Sequence, residues 1–209
     1  MPDITANRSA RKYRVYEQIL RVLWAATVPL FRLTPRPLWA VRRVHLRLFG
    51  AQVGRGARIY PSAVIFMPWN ITFGDQCTVG WGVKLYALGP MQIGARATIS
   101  QYAHLCGGTH DLSFAERPLV KARVSIGNGA WVAAEAFVGP GVTVGERAVV
   151  GARAVTLKDV SEGVVVSGNP AQIIRRNATE GTAPSTLNEL DVRARSVLPG
   201  DASVEFFRD

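Results

Sequence analysis

Between Val124 and Asp159, apolar residues recur every six positions, and this repeat predicts the fold. The first position of each hexad is Ile or Val and the fifth is Ala or Val; the first positions are Ile126, Val132, Val138, Val144 and Val150. Self-similarity at a short, fixed period is typical of a stacked β-solenoid. Three hexads, about 18 residues, would complete one turn of a triangular coil.

The same period can be followed upstream to Val53, with two interruptions. The first run of first positions is Val53, Ile59, Ile65 and Ile71. After a slip of two residues, a second run follows at Phe73, Val79 and Leu85. After another slip of two residues, a third run follows at Ile93, Ile99 and Leu105. Ile126 follows Leu105 by 21 positions, which is one coil of 18 residues plus three further residues. This spacing predicts a loop over 107–123 that leaves the prism near Gly107 and rejoins it near Val124. Trp69 occupies a fifth position, where small residues are the rule, so we expect a bulge there.

The N-terminal fifty residues show helical periodicity instead. Apolar residues at helical spacing begin at Tyr16, and a second amphipathic run carries Val41, Val44 and Leu48 on one face and Arg42, Arg43 and Arg47 off it. The longest uncharged apolar run, Val22 to Phe31, is about half of what a bilayer span needs. We expect this arm to cap the open end of the solenoid. Contact of its arginines with an anionic membrane surface is a compatible alternative.

The C-terminal part predicts a last strand and turn over Val164–Ala171, a short helix starting at Gln172–Arg176, and a loosely held tail. The expected organisation is therefore a helical arm (1–50), a solenoid domain (51–176) and a tail (177–209).

Composition and charge narrow the possible functions. Hydrophobic residues make up 48% of the 209-residue chain and charged residues 19%, as in a folded globular protein. The net charge of +10 is uneven: residues 1–50 hold ten Lys/Arg against two acids, giving +8. Residues 177–209 hold three Arg against six acids, giving −3. No nucleic-acid motif accompanies the basic arm, so nucleic acid is not an expected partner. With three His in the chain, a zinc site is not expected either.

Three stretches carry a family resemblance. They are ISQYAHLCGGTHD (99–111), GAWVAAEAFVGPGV (129–142), and TLKDV (156–160) followed by GNPA (168–171). They resemble the hexapeptide-repeat O-acetyltransferases, closest to the colanic acid biosynthesis and sugar O-acetyltransferase branch. The segments 48–54 and 68–70 match the same branch, and His104 departs from it by replacing an expected aromatic residue. The resemblance implies a mainly β fold, a left-handed parallel β-helix, although the general crossover rule favours the right-handed form.

The resemblance also implies a reaction and its principal residue. His110 would act as general base on a sugar hydroxyl, which attacks the thioester of acetyl-CoA directly, without a covalent enzyme intermediate or a metal. Histidine suits this role because its pKa lies near working pH. Asp111 is a second catalytic candidate, with a turn-forming role as the alternative.

Further residues are assigned by resemblance or by chemistry. Trp131, Ala133 and Gly151 would line the coenzyme A groove, and Lys158, Arg175 and Arg176 would meet its phosphates. For the acceptor sugar, the candidates are Asn70, Trp81, Tyr86, His104 and Glu116, together with Trp69 and Phe114. The family works as a homotrimer with sites between subunits.

The sequence thus predicts an acetyl-CoA-dependent O-acetyltransferase acting on a sugar of an exopolysaccharide or its lipid-linked precursor. Alternatives are N-acetyl transfer to an amino sugar or other small molecule, use of another acyl group, and a non-catalytic membrane-associated scaffold. Since no secretory signal is recognised, we expect a cytoplasmic location, with possible peripheral contact at the inner face of the membrane.

Overall fold

The computed structural model describes residues 3–10 and 12–176, so the predicted tail lies outside the described residues. Three α-helices open this part of the chain: α1 (Ile4–Ser9), α2 (Val15–Leu33) and α3 (Trp39–Leu48). A run of short strands follows: β1 (Gln52–Val53), β2 (Arg58–Ile59), β3 (Val64–Phe66), β4 (Ile71–Phe73), β5 (Thr78–Val79), β6 (Lys84–Tyr86), β7 (Met91–Ile93), β8 (Thr98–Ile99), β9 (His104–Cys106), β10 (Gly108–His110), β11 (Leu119–Lys121), β12 (Val124–Ile126), β13 (Trp131–Val132), β14 (Phe137–Val138), β15 (Thr143–Val144), β16 (Val149–Val150), β17 (Val155–Thr156), β18 (Val164–Ser167) and β19 (Gln172–Arg176).

These strands form the three walls of a left-handed parallel β-helix. Sheet A has the order β1-β4-β7-β12-β15, and sheet C has the order β3-β6-β9-β14-β17. Sheet B has the order β2-β5-β8-β13-β16-β18, with β19 added at its end. Each turn takes one strand from A, then B, then C, so the chain completes five turns and begins a sixth. The corners between walls form three edges of the prism, here called A–B, B–C and C–A.

The core confirms the hexad prediction. First-position residues of successive turns stack in register inside the prism, as in the ladder Ile59, Val79, Ile99, Val132 and Val150. All five of these side chains are buried. Fifth positions are buried as well, and Cys77 packs there as predicted. Burial raises the pKa of the Cys77 thiol to about 12, which keeps it protonated and unreactive.

The interruptions of the repeat all fall on the C–A edge. The first interruption is a turn of 3-10 helix over Pro68–Asn70, which confirms the bulge predicted at Trp69. The two extra residues therefore come before Ile71, whereas the sequence pattern predicts them after it. The amide Nδ2 of Asn70 donates to the carbonyls of Ala87 (2.8 Å) and Leu88 (3.1 Å) in the next turn. These hydrogen bonds connect the first interruption to the second, which contains Ala87 and Leu88. In the third turn the chain leaves this same edge as β10 and β11.

The N-terminal helices cap the first turn, as predicted. Helix α3, however, packs on the prism with its arginines and not with the apolar face that carries Val41, Val44 and Leu48. Arg42 is buried and its Nε donates to the carbonyl of Ile59 (2.8 Å), while Arg43 and Arg47 donate to Ala57 and Val53. The apolar residues Val41, Val44 and Leu48 are exposed. The cause is the open edge of the first coil, whose carbonyls have no preceding strand to pair with and would be costly to leave unbonded.

Helix α2 packs beside α3 through an aromatic cluster. Trp24 contacts Phe31, His45 and Phe49 with ring centroids 5.1–5.9 Å apart. The indole Nε1 of Trp24 donates to the carbonyl of Ile65 in β3 (2.9 Å). This cluster continues the core of the prism beyond its first turn.

The short helix predicted at Gln172–Arg176 is wrong, because these residues form β19. They pair antiparallel with β18, with Gln172 opposite Ser167 and Arg176 opposite Val164. The free edge of β18 offers backbone partners to the returning chain, and this pairing outweighs the weak local preference for helix.

Candidate active site

The loop predicted over 107–123 is a β-hairpin that projects from the C–A edge. Strands β10 and β11 pair antiparallel, with Gly108 opposite Lys121 and His110 opposite Leu119. At its base the amide of Gly107 donates to the carbonyl of Tyr86 (2.8 Å), and that of Ala122 donates to the carbonyl of Gly107 (2.9 Å). The hairpin is thus anchored on the interrupted corner of the preceding turn.

His110 lies at the end of β10 with a fixed ring orientation. Its Nδ1 is 2.7 Å from the carbonyl oxygen of Arg117. A carbonyl oxygen only accepts, so Nδ1 carries the proton of this bond. In the neutral imidazole the other nitrogen, Nε2, then has a free lone pair and can accept a proton. The side chain is exposed in the single chain.

A cavity of about 370 Å³ lies beside His110, between the hairpin and α1; it is lined by Asp3, Asn7, His110, Leu112, Ala115, Glu116 and Arg117. The backbone amide of Asp3 donates to the carbonyl of Ala115 (2.7 Å). Asn7 Nδ2 donates to the carbonyls of Glu116 (2.6 Å) and Arg117 (2.8 Å). The first helix therefore forms one wall of the site. Sequence reasoning missed this wall because residues 3–10 carry neither a motif nor a clear periodicity.

Asp111 follows His110 and forms a turn. Its Oδ1 accepts a hydrogen bond from the backbone amide of Ser113 (2.9 Å), which holds the pKa of the carboxyl below its usual value. Within the described residues no hydrogen bond joins Asp111 to His110. The geometry supports the turn-forming alternative, and the catalytic role stays a prediction.

The residues predicted to line the coenzyme A groove meet at the B–C edge. Ala133 and Gly151 occupy equivalent corner positions in successive turns, and their amides donate to Val150 and Val166. At Gly151 a Cβ atom would lie 2.8 Å from Ser167 Oγ, so only glycine fits without a shift. Trp131, on the outer face of β13, is half exposed, and its Nε1 donates to Ser100 Oγ (2.8 Å).

The side chains predicted to bind the phosphates, Lys158, Arg175 and Arg176, lie towards the C-terminal end of the prism. They do not lie on the same side of it. Arg175 and Arg176 are exposed on β19, at the end of the sheet that also carries Trp131. Lys158 lies on the C–A edge, in a cavity of about 360 Å³ that Asp159 and Gln172 also line.

The predicted acceptor residues divide into four groups. Glu116 lines the cavity beside His110. Asn70 lies on the C–A edge, where its amide donates to backbone carbonyls. Trp81 packs edge-to-face against Tyr102 at the B–C edge, with ring centroids 5.1 Å apart. The fourth group, described next, lies on the outer face of sheet C.

On that face Tyr86 and His104 line a cavity of about 310 Å³ together with Phe66 and Cys106. Burial, assisted by the charge of Lys84, lowers the pKa of His104. The pKa of Tyr86 is raised, mainly by burial. Both side chains are therefore neutral near pH 7 and offer hydrogen bonds beside aromatic rings.

One chain does not bring all these residues to one place. The hairpin with His110 and Glu116 belongs to the C–A edge, whereas Trp131, Ala133, Gly151 and Trp81 belong to sheet B and the B–C edge. The predicted base and the residues predicted to bind coenzyme A therefore lie on different edges of one prism.

Comparison with known proteins identifies the family of this chain. Residues 123–158 match the family described as bacterial transferase hexapeptide (six repeats). The putative colanic acid biosynthesis acetyltransferase of Escherichia coli K12 is 42% identical over 156 residues, 75% of this chain and 86% of the relative. The chain therefore belongs to the hexapeptide-repeat transferases and is an acyltransferase of that family.

One more distant relative in sequence and two solved structures with the same fold are also similar to this chain. Galactoside O-acetyltransferase of E. coli K12 is 28% identical over 120 residues, 57% of this chain and 55% of the relative. The structure of galactoside acetyltransferase in complex with coenzyme A superposes with a TM-score of 0.73 at 20% identity, over 85% of this chain and 92% of the other. The structure of a maltose O-acetyltransferase from Clostridium difficile 630 has a TM-score of 0.73 at 20% identity, over 86% and 99%.

Proposed function

We propose that this protein transfers an acetyl group from acetyl-CoA to a hydroxyl of a sugar, in an exopolysaccharide or its lipid-linked precursor, with His110 as general base. The observation that carries the proposal is the bond from His110 Nδ1 to the Arg117 carbonyl, which leaves Nε2 free beside a cavity of about 370 Å³. The relative from E. coli K12 named for colanic acid biosynthesis supports a glycan acceptor.

The reaction needs one proton to move twice. Nε2 of His110 takes the proton of the acceptor hydroxyl as its oxygen attacks the thioester carbonyl carbon. The carbon–sulfur bond breaks, and the imidazolium returns the proton to the departing thiolate, so the products are an acetyl ester and free coenzyme A. The Arg117 carbonyl stabilises the imidazolium because it accepts from Nδ1 throughout. Such a base contributes about 10²–10⁴-fold to the rate.

Acetyl-CoA would bind along the B–C edge. Ala133 and Gly151 put no large side chain at the corners of two successive turns, and Trp131 is half exposed two residues before Ala133. Arg175 and Arg176 are placed to meet the phosphates at the end of sheet B. Solved structures of the same fold with coenzyme A or acetyl-CoA support this cosubstrate.

The assembly we propose is a homotrimer. Within one chain the base and the groove lie on different edges of the prism, so a site between two prisms joins the hairpin of one copy to the B–C edge of the next. A cytoplasmic location is part of the same proposal.

The test is acetyl-CoA turnover by the purified full-length protein, measured as release of free thiol with a panel of monosaccharides and lipid-linked oligosaccharides. We expect turnover with at least one glycan, and a product that mild alkali cleaves, as it cleaves esters but not amides. His110→Asn can place an amide donor at the position of Nδ1, facing the Arg117 carbonyl, but cannot accept the proton, so kcat should fall about 10²–10⁴-fold. Glu162→Gln, an exposed change elsewhere on the prism, is the matched control.

Three results would reject the proposal. An alkali-stable product would show N-acetyl transfer to an amino group. Undiminished turnover in His110→Asn would remove the base mechanism. No thiol release with any acceptor would favour another acceptor class or a non-catalytic role.

A further inference from the structure

The helical cap presents an apolar face to the outside. Helix α2 packs on the prism through Trp24 and Phe31, and the opposite side of the helix carries Ile19, Val22, Leu30 and Leu33 in one stripe. Val44 and Leu48 of α3 are exposed in the same way. These six side chains, here called the cap face, are 52–79% exposed. Exposed apolar residues on this scale mark an interaction surface.

The charges around the cap face have one sign. Between Ala10 and Gly74 the sequence holds a single acid, Glu17, and that carboxylate is buried in an ion pair with Lys121 (3.2 Å). Arg32 is exposed in the last turn of α2. Arg36, after the helix, is also exposed, and its guanidinium packs over the Tyr60 ring, 4.6 Å from the ring centroid. Arg42, Arg43 and Arg47 are instead engaged with backbone carbonyls of the first coil. The rim of the cap face is therefore basic and free of exposed acids.

We propose that the cap face binds the surface of an anionic lipid bilayer, with its apolar side chains inserted and Arg32 and Arg36 at the headgroups. A helix that lies in a membrane interface combines an apolar stripe with basic residues beside it. No helix among the described residues is long and apolar enough to cross a membrane. The contact differs from the one predicted from sequence, because apolar residues and not the arginines of α3 supply most of it.

The charge pattern favours a bilayer over a second copy of the chain. Two cap faces in contact would bring together two basic rims, and between residues 10 and 74 neither rim has an exposed acid to pair with the other. An anionic bilayer supplies both the missing charge and the apolar environment.

The position of α2 also relates the cap face to the proposed active site. Glu17, near the start of α2, binds Lys121 of the hairpin, and α1 contacts the hairpin tip through Asp3 and Asn7. A bound cap face would hold the hairpin at a defined position relative to the bilayer, as a lipid-linked acceptor requires. This consequence rests on the proposed function, whereas membrane binding does not.

The experiment is flotation of the full-length protein with vesicles of phosphatidylglycerol and phosphatidylethanolamine, compared with vesicles of phosphatidylcholine alone. We expect binding to the anionic vesicles that weakens but persists in about 0.5 M NaCl, because salt screens charges and leaves apolar insertion. Val22→Gln with Leu30→Gln leaves the net charge unchanged and should weaken binding about 10-fold or more. Ile174→Gln, at an apolar side chain of similar exposure on β19, should bind as the wild type does.

Light scattering of the same proteins separates the alternatives. We expect the double variant and the wild type to have the same molecular mass. A smaller mass for the double variant would show that the cap face joins copies of the chain, and would overturn the proposal. Equal vesicle binding by wild type and double variant, or no binding to anionic vesicles, would also overturn it. None of these results depends on whether acetyl transfer occurs.

Discussion

The imidazole of His110 and the backbone carbonyl of Arg117 are joined across the hairpin by a bond of 2.7 Å. The same carbonyl oxygen accepts a second bond of 2.8 Å from Asn7 Nδ2, on the first helix. One backbone oxygen therefore connects the proposed base to the N-terminal arm. The orientation of His110 depends on a segment more than a hundred residues away in sequence.

Asn7→Ala should reduce catalysis without removing the base. Loss of the side chain frees the Glu116 and Arg117 carbonyls from α1, so the hairpin is less well ordered and His110 spends less time in the reactive orientation. We expect kcat to fall about 3- to 10-fold with little change in KM for acetyl-CoA. Hydrogen exchange of the hairpin amides should accelerate as well.

Ser9→Ala is the control for this change. Ser9 lies on the same helix, and its hydroxyl bonds only to carbonyls of α1. If Asn7→Ala matches Ser9→Ala in both kcat and hairpin exchange, Asn7 does not position His110.

Arg42→Met should destabilise the whole domain. The guanidinium of Arg42 is buried and donates to the carbonyls of Ile59, Thr34, Pro35 and Arg36 at 2.8–2.9 Å. Methionine fills a similar space but removes the Arg42 donors from the Ile59, Thr34 and Arg36 carbonyls, while the Pro35 carbonyl still accepts from the Leu38 amide. The free energy of unfolding should therefore fall by about 3–5 kcal/mol. Denaturant unfolding measures the change. Arg32→Met, on an exposed arginine, should cost less than about 0.5 kcal/mol; equal effects would contradict a capping role for Arg42.

Asn70→Ala tests whether the hydrogen bonds between the two interrupted corners stabilise the prism. The Asn70 amide links two successive turns on the edge from which the hairpin leaves. Removing these bonds should lower the free energy of unfolding by about 1–2 kcal/mol. Asn70→Asp should lower it further, because its carboxylate would face the two carbonyl oxygens. If both variants are as stable as the wild type but acceptor KM rises, Asn70 acts mainly on the sugar, as the sequence predicted.

Stability should decline as the pH falls below about 6.5, the ordinary pKa of histidine. Burial lowers the pKa of His45, and burial together with Lys84 lowers that of His104. The folded state thus favours the neutral rings, and protons bind more tightly to the unfolded chain. The contribution of these histidines to stability is complete above their pKa in the unfolded chain. It is lost as the pH falls towards their lower pKa in the folded state.

Melting temperatures at pH 7 and pH 5 measure this effect. His45→Phe keeps an aromatic ring in the cluster with Trp24, so it should reduce the difference between the two temperatures. A difference equal to that of the wild type would show that His45 does not contribute. Glu17 acts at lower pH: burial opposes its ionisation, but the Arg14 amide and Lys121 outweigh it and lower its pKa, so its contribution is lost only in more acidic solution.

The hexad repeat alone was enough to predict the prism. An apolar residue, mostly Ile or Val, at the first position and a small residue at nearly every fifth position specify one strand and one corner per six residues, which is a local rule. The motif around His110 and the length of the interruption after Leu105 predicted a projecting loop with a histidine on it. The structure confirms each of these, because each depends only on residues close together in sequence.

Long-range contacts decided the rest. Which face of α3 packs was settled by the unpaired carbonyls of the first coil, which attract arginines more strongly than the core attracts Val41 or Val44. The strand at Gln172–Arg176 depended on the free edge of β18, and the wall that Asn7 adds to the site depended on the hairpin reaching α1. The periodicity of a sequence describes each segment's own preference, whereas unsatisfied backbone groups on a distant element determine what that segment finally contacts.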